Sequence, residues 1–143
     1  MHTMVSSRAA ELQACRVRLA PGPAAAAEAR GQVRAAIAAW KTPVDEDIAV
    51  LLTSELVTNA VKHTAGGTVT LGIRCARDQL RVDVYDTSPS PPVLTNAPAD
   101  AEAGRGLVLV AELSAEWGSY RTLVGKVVYF TLAFQLGPGR AAP

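Results

Sequence analysis

The sequence predicts an α+β fold, a two-layer α/β sandwich with a mixed, mostly antiparallel sheet and helices on one face. Three observations lead to it. Residues 12–19, 68–75 and 80–85 alternate apolar and polar side chains, the period of half-buried strands. Residues 24–40, 44–63 and 107–116 instead repeat their apolar residues at helical spacing. The order strand, helix, helix, strand, strand, long loop, helix, strand, strand joins neighbouring strands as hairpins, which are antiparallel. With 143 residues, no internal repeat and no break in composition, the chain fits one domain. That domain is expected over 11–136, with flexible ends at 1–10 and 137–143.

In the first strand Cys15, Val17 and Leu19 form the inward set. Pro21-Gly22-Pro23 stops it and opens a helix, since proline is tolerated in a first turn. The Ala-rich helix over 24–40 carries Val33, Ile37 and Trp40 on one stripe, and Thr42-Pro43 breaks it. Asp45, Glu46 and Asp47 then stand where the helix macrodipole favours negative charge. The second helix is apolar around most of its circumference, from Ile48 and Leu52 through Leu56, Val57 and Val61, and is expected to be largely buried. Ala65-Gly66-Gly67 turns the chain out of it, and 76–79 is a short hairpin connection. Residues 86–103, rich in Pro, Ser, Thr, Ala and Asp, read as a loop of about 18 residues, a length typical of functional segments. Gly104-Arg105-Gly106 closes that loop before the third helix, and 117–121 with 126–136 form the last hairpin.

Composition excludes several classes. The formal net charge is +1 with Lys and Arg scattered, which argues against direct nucleic-acid binding or a charged membrane surface. No apolar run approaches the roughly 20 residues of a membrane span. The first ten residues lack the basic start and apolar core of a signal peptide. Cys15 and Cys75 have no metal-type spacing and are expected as reduced thiols. A cytoplasmic protein is the resulting expectation.

Three patches carry candidate chemistry. Glu55 and Asn59 lie one turn apart on the second helix, separated by about 40° around its axis. A side-chain carbonyl at Asn59 suits a hard cation such as Mg²⁺, and a carboxylate at Glu55 can orient or deprotonate a nucleophile. The alternative is a Glu and an Asn satisfied by neighbouring backbone. Asp86, just past the strand over 80–85, can accept the exocyclic amino group of adenine; the alternative is a turn Asp opening Asp86-Thr87-Ser88-Pro89. Gly104-Arg105-Gly106-Leu107 opens a helix, where backbone amides favour phosphate and Arg105 adds charge; the alternative is an ordinary loop-to-helix junction. Lys62, a turn beyond Asn59, either reaches a phosphate or serves as a helix-end cation.

The order of these patches gives the resemblance. Ser-Glu-Leu-Val-Thr-Asn-Ala-Val-Lys-His-Thr at 54–64 resembles the N-box of the GHKL ATPases, the gyrase, Hsp90, histidine kinase and MutL type. Within them the chain resembles the anti-sigma factor serine kinases and related ATP-binding regulatory proteins of actinobacteria. Val84-Tyr85-Asp86-Thr87-Ser88-Pro89 resembles the first glycine box, Gly104-Arg105-Gly106-Leu107 the second, and Trp117-Gly118 with Gly125-Lys126-Val127-Val128-Tyr129-Phe130 the closing hairpin. The resemblance implies a Bergerat fold with ATP and Mg²⁺ as ligands. It implies Asn59 as the magnesium ligand and Glu55 as the acid that activates the attacking hydroxyl or water. It implies Asp86 as the reader of adenine, and Gly104, Arg105, Gly106 and Leu107 as the lid around the phosphates. Two departures stand out: Ser88, Pro89, Ser90, Pro91 and Pro92 replace the first-box glycines, and Val127 stands where relatives carry a Thr near adenine.

The function so implied is that of an ATP-binding regulator, an anti-sigma factor-type serine/threonine protein kinase that binds a sigma factor and phosphorylates its protein antagonist. The alternative is a non-catalytic anti-sigma-like binding module. A histidine-kinase catalytic domain from a longer chain is a third reading, against which stands the lack of a phosphoacceptor His segment or coiled coil before it. A homodimer is expected, with the first strand and first helix as candidate contacts.

Overall fold

The computed structural model describes residues 12–64, 66–88 and 102–135, with only the backbone of 102–106. The elements run β1 (Gln13–Leu19), α1 (Ala25–Trp40), α2 (Glu46–His63), β2 (Val69–Cys75), β3 (Gln79–Asp86), α3 (Glu102–Leu113), β4 (Glu116–Arg121) and β5 (Lys126–Ala133). The five strands form one sheet in the order β1-β2-β3-β5-β4, and every pairing is antiparallel. This is the expected α+β two-layer sandwich, its sheet wholly antiparallel among the described residues.

Alternation decides which side of the sheet is covered. Cys15, Val17 and Leu19 of β1 face inward as predicted, beside Val69, Leu71, Ile73 and Cys75 of β2. The same face continues through Leu80, Val82 and Val84 of β3 and Val128, Phe130 and Leu132 of β5. All belong to one core with Val33 and Ile37 of α1, Leu52, Leu56 and Val57 of α2, and Leu107 and Val110 of α3. Cys15 and Cys75 are both free thiols, and partial burial pushes the Cys15 thiol up from its ordinary value.

The opposite face has no second layer among the described residues, and its side chains cover one another. Gly72 leaves space for the Tyr85 ring, over which the Arg16 guanidinium stands 4.4 Å from the centroid. Arg81 stands 3.9 Å over Tyr129 while its Nε donates to the buried Asp83 carboxylate at 2.8 Å. Burial alone would lower the Arg81 pKa; the hydrogen bond and charge of Asp83 outweigh it and hold the guanidinium more firmly protonated.

Helix α2 starts at Glu46 because Asp45 is its cap: Oδ1 accepts from the Ile48 amide at 3.1 Å. Glu46 and Asp47 follow in the first turn, and Lys62 and His63 occupy the last, so charge complements the dipole at both ends. The third helix departs from expectation. It begins at Glu102, five residues before Leu107, and ends at Leu113, so Gly104-Arg105-Gly106 lies within its first turns and does not precede it. Two glycines cost about 1 kcal/mol each relative to alanine in a helix interior. Packing of α3 along α2 overrides that local preference. The last strand ends at Ala133, short of the predicted 136. Most of the predicted loop over 86–103, with Pro89, Ser90, Pro91 and Pro92, lies outside the described residues, as do both predicted tails.

Candidate functional site

Strand geometry brings three separate segments to one end of the molecule. Val69, the first residue of β2, pairs with Asp86, the last of β3, and Asp86 pairs with Lys126, the first of β5. Helix α2 enters that end through Thr64 and the Gly66–Gly67 turn. A Cβ on Gly67 would strike both the Thr64 methyl and the Thr87 hydroxyl, so the helix exit and the Asp86–Thr87 segment are in direct apposition. Helix α3 supplies the third segment. Its far end, Leu113 and Ser114, lines a cleft with Val44, Asp45 and Ile48 at the start of α2. Because α3 packs along α2, its first turn, with the Gly104–Gly106 backbone, points toward the end of α2 that carries Asn59.

Glu55 and Asn59 are half-buried on α2 and, among the described residues, neither side chain is paired. The neighbouring Ser54 is held: its Oγ accepts from Arg30 of α1 at 3.0 Å. Ile48 is half-buried and Leu51 exposed on the same stretch, so the two polar groups sit at the rim of the core, not inside it. Among the described residues no cluster of three His, Cys, Asp or Glu forms a metal cage. A cation here would be held by Asn59, water and ligand oxygens, the sparse protein coordination that Mg²⁺ favours. Lys62 is exposed in the last turn of α2 and has a partner. The side chain of Arg105 lies outside the described residues, while Leu107 is buried in the core, so its contribution is to anchor the start of α3.

Asp86 is the final residue of β3, one position earlier in the architecture than expected, and only 4% exposed. Its Oδ1 accepts from the Ser88 amide at 2.8 Å, closing an Asx turn that uses part of the carboxylate for structure. Its other partner was not foreseen. The Lys126 ammonium, itself 4% exposed, lies 3.0 Å from Oδ1 and 2.9 Å from Oδ2. Alignment meets hydrogen-bond geometry only at Oδ1; Oδ2 is held by charge. The position of Val127 also needs correction. It pairs with Tyr85 on the open face of the sheet, so it is Lys126 that shares the side of Asp86. The signal was present in the sequence: Val128, Phe130 and Leu132 point inward, and period two extends that set back to residue 126.

The family model of the histidine kinase-like ATPase domain matches residues 19–132. The chain belongs to this family. It is therefore a GHKL-type ATPase domain, and its ligand class is ATP. No curated protein matches the chain. In this ATPase domain the match runs from the end of β1 to the penultimate residue of β5, covering all three segments that meet at the site. The residues present would fit a magnesium nucleotide: Asn59 would offer an oxygen ligand and the first turn of α3 its backbone amides. The Asp86 carboxylate of the ATPase domain is already engaged by Lys126.

Proposed function

We propose that the chain is an ATP-dependent regulatory protein that acts on a protein partner as a serine/threonine kinase of the anti-sigma factor type. The observation that carries this reading is the placement of Glu55 and Asn59 one turn apart on one half-buried stretch of α2, the helix whose exit at Thr64 and Gly67 abuts the Asp86–Thr87 segment. Asn59 would hold Mg²⁺ through its side-chain oxygen. Arg105 and the free amides of the first turn of α3, Gly104 among them, would meet the phosphates, and Lys62 would add charge there. Held there, ATP would supply the phosphoryl group and Mg²⁺ the charge neutralisation that its transfer needs. Glu55 takes the proton from the attacking hydroxyl of a partner Ser or Thr, and its half-buried position keeps it close to solvent and partner alike. The partners are a sigma factor, its protein antagonist, or both, with a homodimer as the working assembly.

Calorimetric titration of ATP with Mg²⁺ into wild type and Asn59→Ala tests the binding half. The variant is expected to lose at least about tenfold in affinity, roughly 1.4 kcal/mol; equal magnesium-dependent affinity would remove Asn59 from the site. For catalysis, phosphoryl transfer to a candidate antagonist is expected to fall by about 10²–10⁴ in Glu55→Ala. Transfer that persists in that variant would take the base role away from Glu55. A second reading, a non-catalytic binding module of the same type, is favoured by one observation: the Asp86 carboxylate already holds the buried Lys126.

A further inference from the structure

We propose that Lys126 sets the purine choice of the nucleotide site by blunting its preference for adenine. The inference rests on the reading of Asp86 as the residue that meets the base. A lone aspartate carboxylate discriminates well, because it only accepts hydrogen bonds. Adenine offers an amino donor at its sixth position, whereas guanine and hypoxanthine offer a carbonyl acceptor there. In this chain that carboxylate is not alone. Asp86 and Lys126 face each other across β3 and β5, both buried, with the ammonium within 3.0 Å of both carboxylate oxygens. The Ser88 amide takes a further share of Oδ1.

The placement of Lys126 is fixed by its neighbour. A Cβ on Gly125 would collide with the carbonyl oxygen of Asp86 and the Cα of Thr87, so only glycine lets the hairpin close this tightly onto the end of β3. The hairpin tip is itself tied: Thr122 Oγ1 accepts from the Gly125 amide at 3.0 Å and from Val124 at 3.2 Å. Lys126 therefore begins β5 directly beneath the carboxylate. Its ammonium is a pure donor. It competes with the adenine amino group for the same acceptor oxygens, yet it is complementary to a carbonyl at the sixth position. Removing it frees Asp86 for adenine and takes away the donor that a 6-oxopurine would use.

Titration of ATP and of inosine triphosphate, each with Mg²⁺, into wild type, Lys126→Thr and Lys126→Gln distinguishes the roles, with circular dichroism confirming that each variant is folded. Wild type is expected to separate the two nucleotides by less than about threefold. Lys126→Thr is expected to bind ATP at least about tenfold tighter, Lys126→Gln to gain less, and neither to gain for inosine triphosphate. A strong ATP preference in wild type, equal gains for both nucleotides, or no change for ATP would each overturn the role of Lys126. The wild-type comparison stands even where a variant fails to fold. Asn59→Ala in the same titrations separates the two ideas: binding that depends on Asn59 but is indifferent to residue 126 leaves the nucleotide site standing and removes Lys126 from it. An absence of any nucleotide binding by folded protein removes both.

Discussion

Gly125 shows how much of the site depends on a missing side chain. Its backbone passes so close to Asp86 and Thr87 that a methyl group has no space, and the neighbour it would strike is backbone, which cannot rotate away. Gly125→Ala is therefore expected to push the β4–β5 hairpin off the end of β3 and destabilise the fold by about 1–3 kcal/mol. Urea unfolding measures this; a change within about 0.5 kcal/mol would mean that the turn relaxes freely. Asp86 was identifiable in the sequence because an acid at a strand end interrupts an apolar pattern. Its partner was less visible. A lysine at the first position of a strand looks solvated, and only the inward period of Val128, Phe130 and Leu132 reveals that it points into the molecule. The Arg81–Asp83 and Arg16–Tyr85 pairs on the open face escaped for a related reason: alternation marks which residues face outward, but not which of them stack.

Helix α2 joins the core to the chemistry. Its N-terminal half is seated on the sheet by fully buried residues such as Leu52, and its C-terminal half carries Asn59 to the rim. Leu52→Ala should cost about 2–5 kcal/mol, since the surrounding packing from α1 and the sheet collapses only in part. Thermal or urea denaturation checks it, and a cost below about 1 kcal/mol would show that the site can close over the lost volume. Both long helices were legible because their apolar stripes are long and their starts are signalled, by Pro21-Gly22-Pro23 before α1 and by Asp45 at the cap of α2. The start of α3 was not. Gly104 and Gly106 have low helix propensity, and the sequence preceding Leu107 has no apolar stripe to outweigh them. The consequence for the site is specific: the free N-terminal amides of α3 belong to the turn that starts at Glu102, so a phosphate would meet the helix one turn earlier than the glycine pair suggested.

Among the described residues the sandwich has helices on one face only, and the sheet's other face is finished by arginines laid over tyrosines around a buried aspartate. Among the described residues no helix is long and apolar enough to cross a membrane. The architecture was predictable because hairpin order constrains an antiparallel sheet strongly. The resemblance assigned residues 55–59, 86 and 104–106 to one site; what the strand order itself brings together is Val69, Asp86 and Lys126, and nothing local to those residues announces it.

That strand order has a consequence for how the protein is made. Of the described strands β5 is the last to leave the ribosome, yet it does not add to an edge: it inserts between β3 and β4. Until residues 126–133 emerge, one side of β3 has no strand beside it, and Val82 and Val84 lack the Phe130 and Val128 that cover them. At ordinary synthesis rates that interval lasts on the order of seconds. The nascent chain thus carries an open apolar edge from the emergence of β3 until that of β5, and the sheet closes in one step, in which Lys126 reaches Asp86 as β5 takes its place.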